Sequence, residues 1–281
     1  MDITSYATVG FYDRGLETAL DAIAAAGFRQ VEVLSNPPHM STPPEGNDLS
    51  EFLSRLRARG LSARSMHAPT IKTVLAAPNE EWRAREVALL ARYLRLAGEL
   101  GAKEIVIHPN PNPKFVPYPD DPALHAVMVA CAMKSLDELV PVAEKAGVCM
   151  ALENIHYPCR YPYRTVSEIR ELVQDYPAKH VGIALDTGHS ALEPHNVADD
   201  VRIAGDRLRA THIHDVKGHG YEDDHRAPGL GILDWAPIVA ALREISYAGA
   251  WTFEVIEPVA SETPEEMARV TREWARSHGL C

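Results

Sequence analysis

The chain has 281 residues, of which 46% are hydrophobic and 24% are charged, and its formal net charge is −11. This length suits one large α/β barrel or two ordinary domains, and the hydrophobic content is sufficient for a sizeable core. The negative charge argues against a nucleic-acid partner, because binding to a phosphate backbone normally depends on clustered positive charge.

The N-terminal segment and the cysteines indicate a reducing environment. Residues 1–12 lack the basic start and apolar stretch of a signal peptide, and no apolar run approaches the roughly 18 residues of a membrane span. Neither a zinc ribbon nor a disulfide framework is indicated, since no CxxC spacing joins Cys131, Cys149, Cys159 and Cys281. We therefore expect a soluble cytoplasmic protein with no membrane partner.

Short apolar runs alternate with longer amphipathic stretches along the chain. The predicted strands are residues 3–9, 30–34, 62–67, 104–108, 148–153, 181–186, 209–214 and 250–255. The predicted helices lie near residues 14–26, 48–59, 79–100, 121–146, 165–175, 196–206, 234–245 and 263–278. Parallel strands joined by crossover helices explain this order, and eight of each close a barrel. Because no composition shift or flexible linker divides the chain, we predict an α/β fold in which residues 1–281 form a single-domain (β/α)8 TIM barrel.

Residue types at the element boundaries support this assignment. A glycine follows a helical run and precedes a strand at Gly27, Gly60, Gly101 and Gly147, as a left-handed helix cap prefers. The long connections all follow strands, at residues 35–47, 68–78, 109–120 and 215–233. Long loops at the carboxyl ends of the strands build the active face of such a barrel.

Four predicted strands end in a carboxylate or a histidine, namely Glu153, Asp186, His212 and Glu254. Carboxylates are costly to bury unless they are paired, hydrogen-bonded or bound to a cation. The carboxyl ends of the strands of a barrel surround one mouth, so these four groups are expected to converge there. Three carboxylates and one imidazole suit Mn²⁺, Mg²⁺ or Co²⁺, with Zn²⁺ as an alternative. The alternative to a metal site is that these four residues form separate salt bridges at the strand ends.

Further polar residues are predicted at the same face of the barrel. Candidates for additional metal or substrate binding are His67, His108, His189, Asp223 and His225. Candidates for substrate binding are Glu32, His214, Lys217 and Arg226, and the first two could instead support the metal ligands from behind. Each of these residues could instead be an ordinary polar terminus of a strand or loop.

The ordered motifs resemble the xylose isomerase-like barrel superfamily of sugar isomerases, epimerases and endonuclease IV. They are GFRQVEV (27–33), HAP (67–69), IHP (107–109), LEN (152–154), LDTGH (185–189), HIHD (212–215), DDHRAPGLGILDW (223–235) and FEV (253–255). For the isomerases and epimerases, the resemblance implies one divalent ion on the four strand-end residues. For endonuclease IV, it implies three zinc ions on those four together with His67, His108, His189, Asp223 and His225. It also implies assembly as a homodimer or homotetramer.

The chain departs from the ketose 3-epimerases of this superfamily at one position. Those enzymes resemble one another in carrying an arginine six residues after the histidine of strand seven, where it helps to hold the substrate. The corresponding residue here is Gly218. Arg226, in the same loop, is the candidate replacement, and a different substrate is the alternative.

These observations favour a divalent-metal-dependent isomerase or epimerase of a small sugar, keto-sugar or related polyol. The metal would polarise a carbonyl and its neighbouring hydroxyl, and Glu153 and Glu254 would remove and return a proton through an enediolate. A dehydratase similar to inosose dehydratase would share the first step and then expel a hydroxyl. A three-zinc phosphodiesterase resembling endonuclease IV is the alternative from another class, and a sugar-binding barrel without turnover is a third.

Overall fold

A closed barrel of eight parallel strands forms the centre of the molecule. The computed structural model describes residues 2–40, 43, 46–70, 73–218, 223–256 and 263–281. The strands follow one another in sequence order, and β8 closes the barrel against β1. They are Thr4–Ala7 (β1), Gln30–Leu34 (β2), Ser62–His67 (β3), Glu104–Ile107 (β4), Cys149–Glu153 (β5), Val181–Asp186 (β6), Leu208–Ile213 (β7) and Trp251–Phe253 (β8). The predicted (β/α)8 barrel is therefore confirmed.

Helices follow the strands around the outside of the barrel. They are Leu16–Ala26 (α1), Asn47–Ala58 (α2), Glu80–Leu100 (α3), Pro122–Ala146 (α4), Val166–Val173 (α5), Thr187–Leu192 (α6), Val197–Ala204 (α7), Trp235–Glu244 (α8) and Pro264–Ser277 (α9). Short helix α6 was not predicted. It begins directly after β6, and the Asp186 side chain caps it by accepting a hydrogen bond from the backbone N–H of His189.

Glycines end several helices in the left-handed conformation, as the sequence predicts. The φ angles are 97° at Gly27, 66° at Gly60, 79° at Gly101 and 69° at Gly147. The last helix begins at Pro264, and the hydroxyl of its N-cap residue Thr263 accepts a hydrogen bond from the backbone N–H of Glu266. These caps fix where each chain segment turns back into the barrel.

Small apolar side chains form one layer of the barrel interior on β4 to β7. Val106, Ala151, Ala184 and Ala210 form a separate buried cluster there, while the large apolar side chains form the main core. Residues two apart on a strand share a face, so the next inward positions on these four strands belong to one layer above the cluster. Those positions are His108, Glu153, Asp186 and His212. Strand periodicity thus places polar groups at the mouth over an apolar floor.

Among the described residues, no helix combines the length and the apolar character needed to cross a bilayer.

Candidate metal centre and active site

The four strand-end residues converge at the mouth of the barrel. Each of Glu153, Asp186, His212 and Glu254 contributes a ligand atom, these atoms lie within 4.8 Å of one another, and all four residues are buried. The Nδ1 atom of His212 lies 3.0 Å from Oε1 of Glu153 and 2.8 Å from Oε2 of Glu254. Its distance to Oδ2 of Asp186 is 3.8 Å. Three buried carboxylates around one imidazole nitrogen repel one another unless positive charge lies between them, so this quartet could hold a divalent cation.

The second nitrogen of His212 is held from behind the quartet. Its Nε2 atom lies 2.8 Å from Oε1 of Glu32, and the hydroxyl of Ser65 donates to Oε2 of Glu32 over 2.7 Å. Glu32 is only 1% exposed, so it lies beneath the ring and away from solvent. A carboxylate on the outer nitrogen of a ligand histidine fixes the orientation of the ring and directs the other nitrogen at the metal. Of the two predictions for Glu32, a support for a metal ligand or a contact to substrate, the contact with His212 agrees with the first.

Asp186 is positioned by a comparable set of contacts. Nε2 of His214 lies 2.8 and 2.9 Å from the two carboxylate oxygens of Asp186. A Cβ at Gly188 would lie 2.0 Å from Cε1 of His214, so only glycine leaves room for this ring. The side chain of Asn154 accepts from the backbone N–H of Asp186 over 2.8 Å and donates to its carbonyl over 3.1 Å. His214, predicted either to support a metal ligand or to contact substrate, is fully buried beside Asp186. Asn154 also holds Asp186, although the sequence analysis left it without a role.

Two further groups of ligand atoms flank the quartet. On one side, Nε2 of His67 and Nε2 of His108 lie 3.3 and 3.2 Å from Oε2 of Glu153. Nδ1 of His67 is 2.8 Å from the carbonyl oxygen of Ala68, whereas Nδ1 of His108 is buried with no hydrogen-bond partner among the described residues. This first triad, His67, His108 and Glu153, is compact enough to hold a cation of its own.

On the other side, one carboxylate oxygen lies between two imidazoles. Oδ2 of Asp223 is 2.9 Å from Nε2 of His189 and 3.0 Å from Nε2 of His225. The Nδ1 atoms of these histidines face the carbonyl oxygens of Asn154 and Glu254, at 2.9 and 3.1 Å. This second triad, His189, Asp223 and His225, is also compact enough for a cation. The five additional predicted residues therefore all lie beside the quartet.

Proton affinities in this region are set by burial and by the opposing charges. Burial alone lowers the pKa of His212, but Glu254, Glu32 and Glu153 raise it well above the ordinary histidine value. Burial also lowers the pKa of His225, yet Asp223 outweighs that effect and raises it to about 9. Burial raises the pKa of Glu153, while His212 and His108 bring it well below its usual range. Without a cation, protonated imidazoles supply the positive charge that the carboxylates need.

The predicted basic residues of the strand-seven loop, Lys217 and Arg226, both contact Asp224. Nε of Arg226 donates to Oδ2 of Asp224 over 2.6 Å, and the backbone N–H of exposed Lys217 donates to Oδ1 of the same carboxylate over 3.0 Å. No described contact joins either residue to the quartet.

The loop itself depends on Asp215, which the sequence analysis did not single out. This carboxylate is fully buried and accepts four hydrogen bonds. The donors are the backbone N–H groups of Val216, Gly229 and Leu233 and the indole of Trp235, at 2.9 to 3.0 Å. Asp215 thereby ties the end of β7 to the loop that carries Asp223 and His225. A buried acid directly after two histidines in HIHD was the available sequence signal.

The chain is similar to known proteins along most of its length. The profile of the xylose isomerase-like TIM barrel family matches residues 20–278. A D-psicose 3-epimerase of Ruminiclostridium cellulolyticum is 25% identical over 240 residues, which are 84% of this chain and 76% of the relative. A 3-dehydro-D-guloside 4-epimerase of Escherichia coli is 26% identical over 204 residues, or 70% of this chain and 73% of the relative. A crystal structure of D-psicose 3-epimerase superposes with a TM-score of 0.84 at 19% identity, covering 100% of both chains, and so shares the fold.

Replacing Asp215 with asparagine should loosen the strand-seven loop. The carboxamide keeps one acceptor oxygen and turns an N–H₂ group toward backbone donors, which should cost about 1–3 kcal/mol of folding free energy. Thermal unfolding should show a lower Tm, and hydrogen exchange should rise in residues 223–234. Asp234→Asn is the matched control, because an N-cap accepts either residue at little cost. Equal melting temperatures for the two variants would contradict this role of Asp215.

Cation binding should release protons. Metal ligation needs neutral imidazoles, whereas the raised pKa values of His212 and His225 keep these rings protonated near neutral pH in the cation-free protein. The affinity for Mn²⁺ should therefore increase as the pH rises from about 6 toward 9. Calorimetry at one pH in buffers of different ionisation enthalpy counts the released protons. An affinity independent of pH would show that these histidines do not exchange protons for the metal.

Proposed function

Since the chain belongs to the xylose isomerase-like TIM barrel family, we propose that it is a divalent-metal-dependent isomerase or epimerase of a small sugar, keto-sugar or related polyol. The observation that carries the proposal is the buried quartet of Glu153, Asp186, His212 and Glu254. Sugar epimerases among the relatives that match most of the chain support the same reaction class and a small carbohydrate substrate. The donor set favours Mn²⁺, Mg²⁺ or Co²⁺, with Zn²⁺ as the alternative.

The reaction would require one group that removes a proton and one that returns it. A cation on the quartet would draw electrons from a substrate carbonyl and its neighbouring hydroxyl, which acidifies the C–H bond between them. Glu153 and Glu254 approach His212 Nδ1 through different strands, β5 and the end of β8, so they would flank a substrate held at this point. The imidazole of His212 holds the pKa of both carboxylates below the usual range, so both are ionised. Return to the adjacent carbon gives isomerisation, and return to the opposite face of the same carbon gives epimerisation.

The supporting residues would keep this geometry fixed. Glu32 would hold the His212 ring with Nδ1 toward the cation, and His214 would hold the carboxylate of Asp186. The His189 side chain is 10% exposed, and a contact of its Nε2 to a substrate hydroxyl would replace the present contact with Asp223. The remaining predicted substrate residues, Lys217 and Arg226, would need the loop to rearrange before they reached a substrate.

Solvent exchange tests the proposal directly. The Mn²⁺-loaded protein should incorporate deuterium from heavy water next to the carbonyl of at least one member of a panel of ketoses, aldoses and keto-glycosides. Glu153→Gln and Glu254→Gln should each lower the exchange rate by about 10²–10⁴-fold, since each removes a proton-transfer group. Glu104→Gln is a matched control, because Glu104 is buried at the opposite end of β4 and pairs with Arg64.

Two results would count against this reaction. Incorporation into no member of the panel would exclude proton abstraction next to a carbonyl, and equal losses in Glu104→Gln would show a general defect. A product lighter by one water would instead assign the dehydratase, which shares proton removal and differs in expelling a hydroxyl.

A three-metal phosphodiesterase is the second candidate, and the two triads beside the quartet favour it. The net charge of −11 argues against it, because a DNA groove requires clustered basic residues. Metal analysis after loading with Zn²⁺ separates the candidates. About three zinc ions per chain, together with cleavage of an abasic-site oligonucleotide, would establish the phosphodiesterase. A single ion and no cleavage would exclude it.

A further inference from the structure

A second polar cavity lies between the loops that follow β4, β5 and β6. Its volume is about 500 Å³, within the range of small-molecule sites. The charged and imidazole side chains of its wall are Asp120, His156, Arg160, Arg164 and Glu193, and two prolines, a leucine and a cysteine complete the wall. None of these residues belongs to the quartet or to either triad.

The polar wall is fixed by contacts between its own members. Oε1 of Glu193 lies 3.0 Å from Nδ1 of His156 and accepts a short hydrogen bond from the guanidinium of Arg164. Arg164 also donates to the carbonyl oxygen of Cys159. The exposed fraction of the side chain is 8% for His156, 13% for Glu193 and 21% for Arg164. Such a partly buried network holds its donors and acceptors in one arrangement before any ligand arrives.

Two chain segments that line the cavity continue from strands that end at the mouth of the barrel. His156 comes three residues after Glu153, and Glu193 directly follows α6, the helix that Asp186 caps. A substrate whose reactive end lies at the quartet could therefore extend into this cavity.

The charges of the lining decide which ligand class suits it. Two arginines are balanced by the carboxylates of Asp120 and Glu193, so a phosphate or carboxylate would meet as much repulsion as attraction. Fixed donors and acceptors beside the apolar surfaces of Pro158 and Leu192 match the hydroxyl groups and ring faces of a sugar. Arg160, which is exposed at the edge of the cavity, can donate to hydroxyls without breaking the network.

We propose that this cavity is an accessory subsite for a neutral polyhydroxylated group joined to the reacting sugar. The substrate would then be a glycoside, with its reacting unit at the quartet and its second sugar between the β5 and β6 loops. The proposal rests on the proposed sugar isomerase or epimerase activity for the identity of the reacting unit.

Binding without turnover tests the subsite. Disaccharide alditols have no carbonyl and cannot react, so calorimetry on the Mn²⁺-loaded full chain can compare maltitol, cellobiitol and melibiitol with sorbitol. At least one of the three should bind about tenfold or more tightly than sorbitol. Arg160→Ala and Glu193→Gln should reduce this advantage at least threefold and leave the affinity for sorbitol unchanged. Arg202→Ala, on the outer face of α7, is the control that should change neither affinity.

The possible failures are distinguishable. If no disaccharide alditol exceeds sorbitol, or if Arg160→Ala leaves the advantage intact, the subsite is refuted. Tighter binding of sorbitol 6-phosphate that depends on Arg160 would replace the proposal with an anion site. Arg160→Ala alters an exposed side chain, so it remains informative if Glu193→Gln fails to fold. Lack of deuterium exchange with every sugar would remove the enzymatic proposal, whereas this binding result would still stand.

Discussion

The confinement of three carboxylates around Nδ1 of His212 is the constraint on which the rest of the site depends. Glu153, Asp186 and Glu254 are buried, and their mutual repulsion in a medium of low polarity requires compensating positive charge. A divalent cation would supply that charge, and protonated imidazoles supply it when the cation is absent. The contacts of Glu32 with His212 and of His214 with Asp186 follow from the same need, because each fixes a group that would otherwise turn away.

The position of the polar residues at the mouth follows from the two-residue repeat of the strands. Inward positions repeat every second residue along a strand, so the alanines and valine of the middle layer lie directly below the polar residues of the mouth. The small apolar side chains pack directly beneath the polar layer. The loops above this layer can vary between proteins of the same fold. Loop differences change what can enter the mouth without altering the ligands, which is how one barrel fold supports many activities.

The loops around this mouth show two ways of being held in place. The strand-seven loop is held by one buried acceptor, Asp215, which satisfies four donors at once. The β5 and β6 loops are joined by an ionic contact between Arg164 and Glu193. The first arrangement fixes the position of Asp223 and His225 beside the quartet. The second borders a cavity whose two arginines are balanced by two carboxylates.

The sequence by itself determined the barrel, because periodicity and helix-ending glycines are local properties that each segment carries alone. It also predicted that the four strand-end residues lie together, because the carboxyl ends of all the strands of a barrel surround one mouth. Only the tertiary structure decided that Nδ1 of His212 faces the carboxylates and that Glu32 and His214 lie behind the ligands. The four donors to Asp215 and the contact of Arg226 with Asp224 are likewise known only from the tertiary structure. These features depend on side-chain directions and on contacts between residues far apart in the chain, which no local pattern encodes.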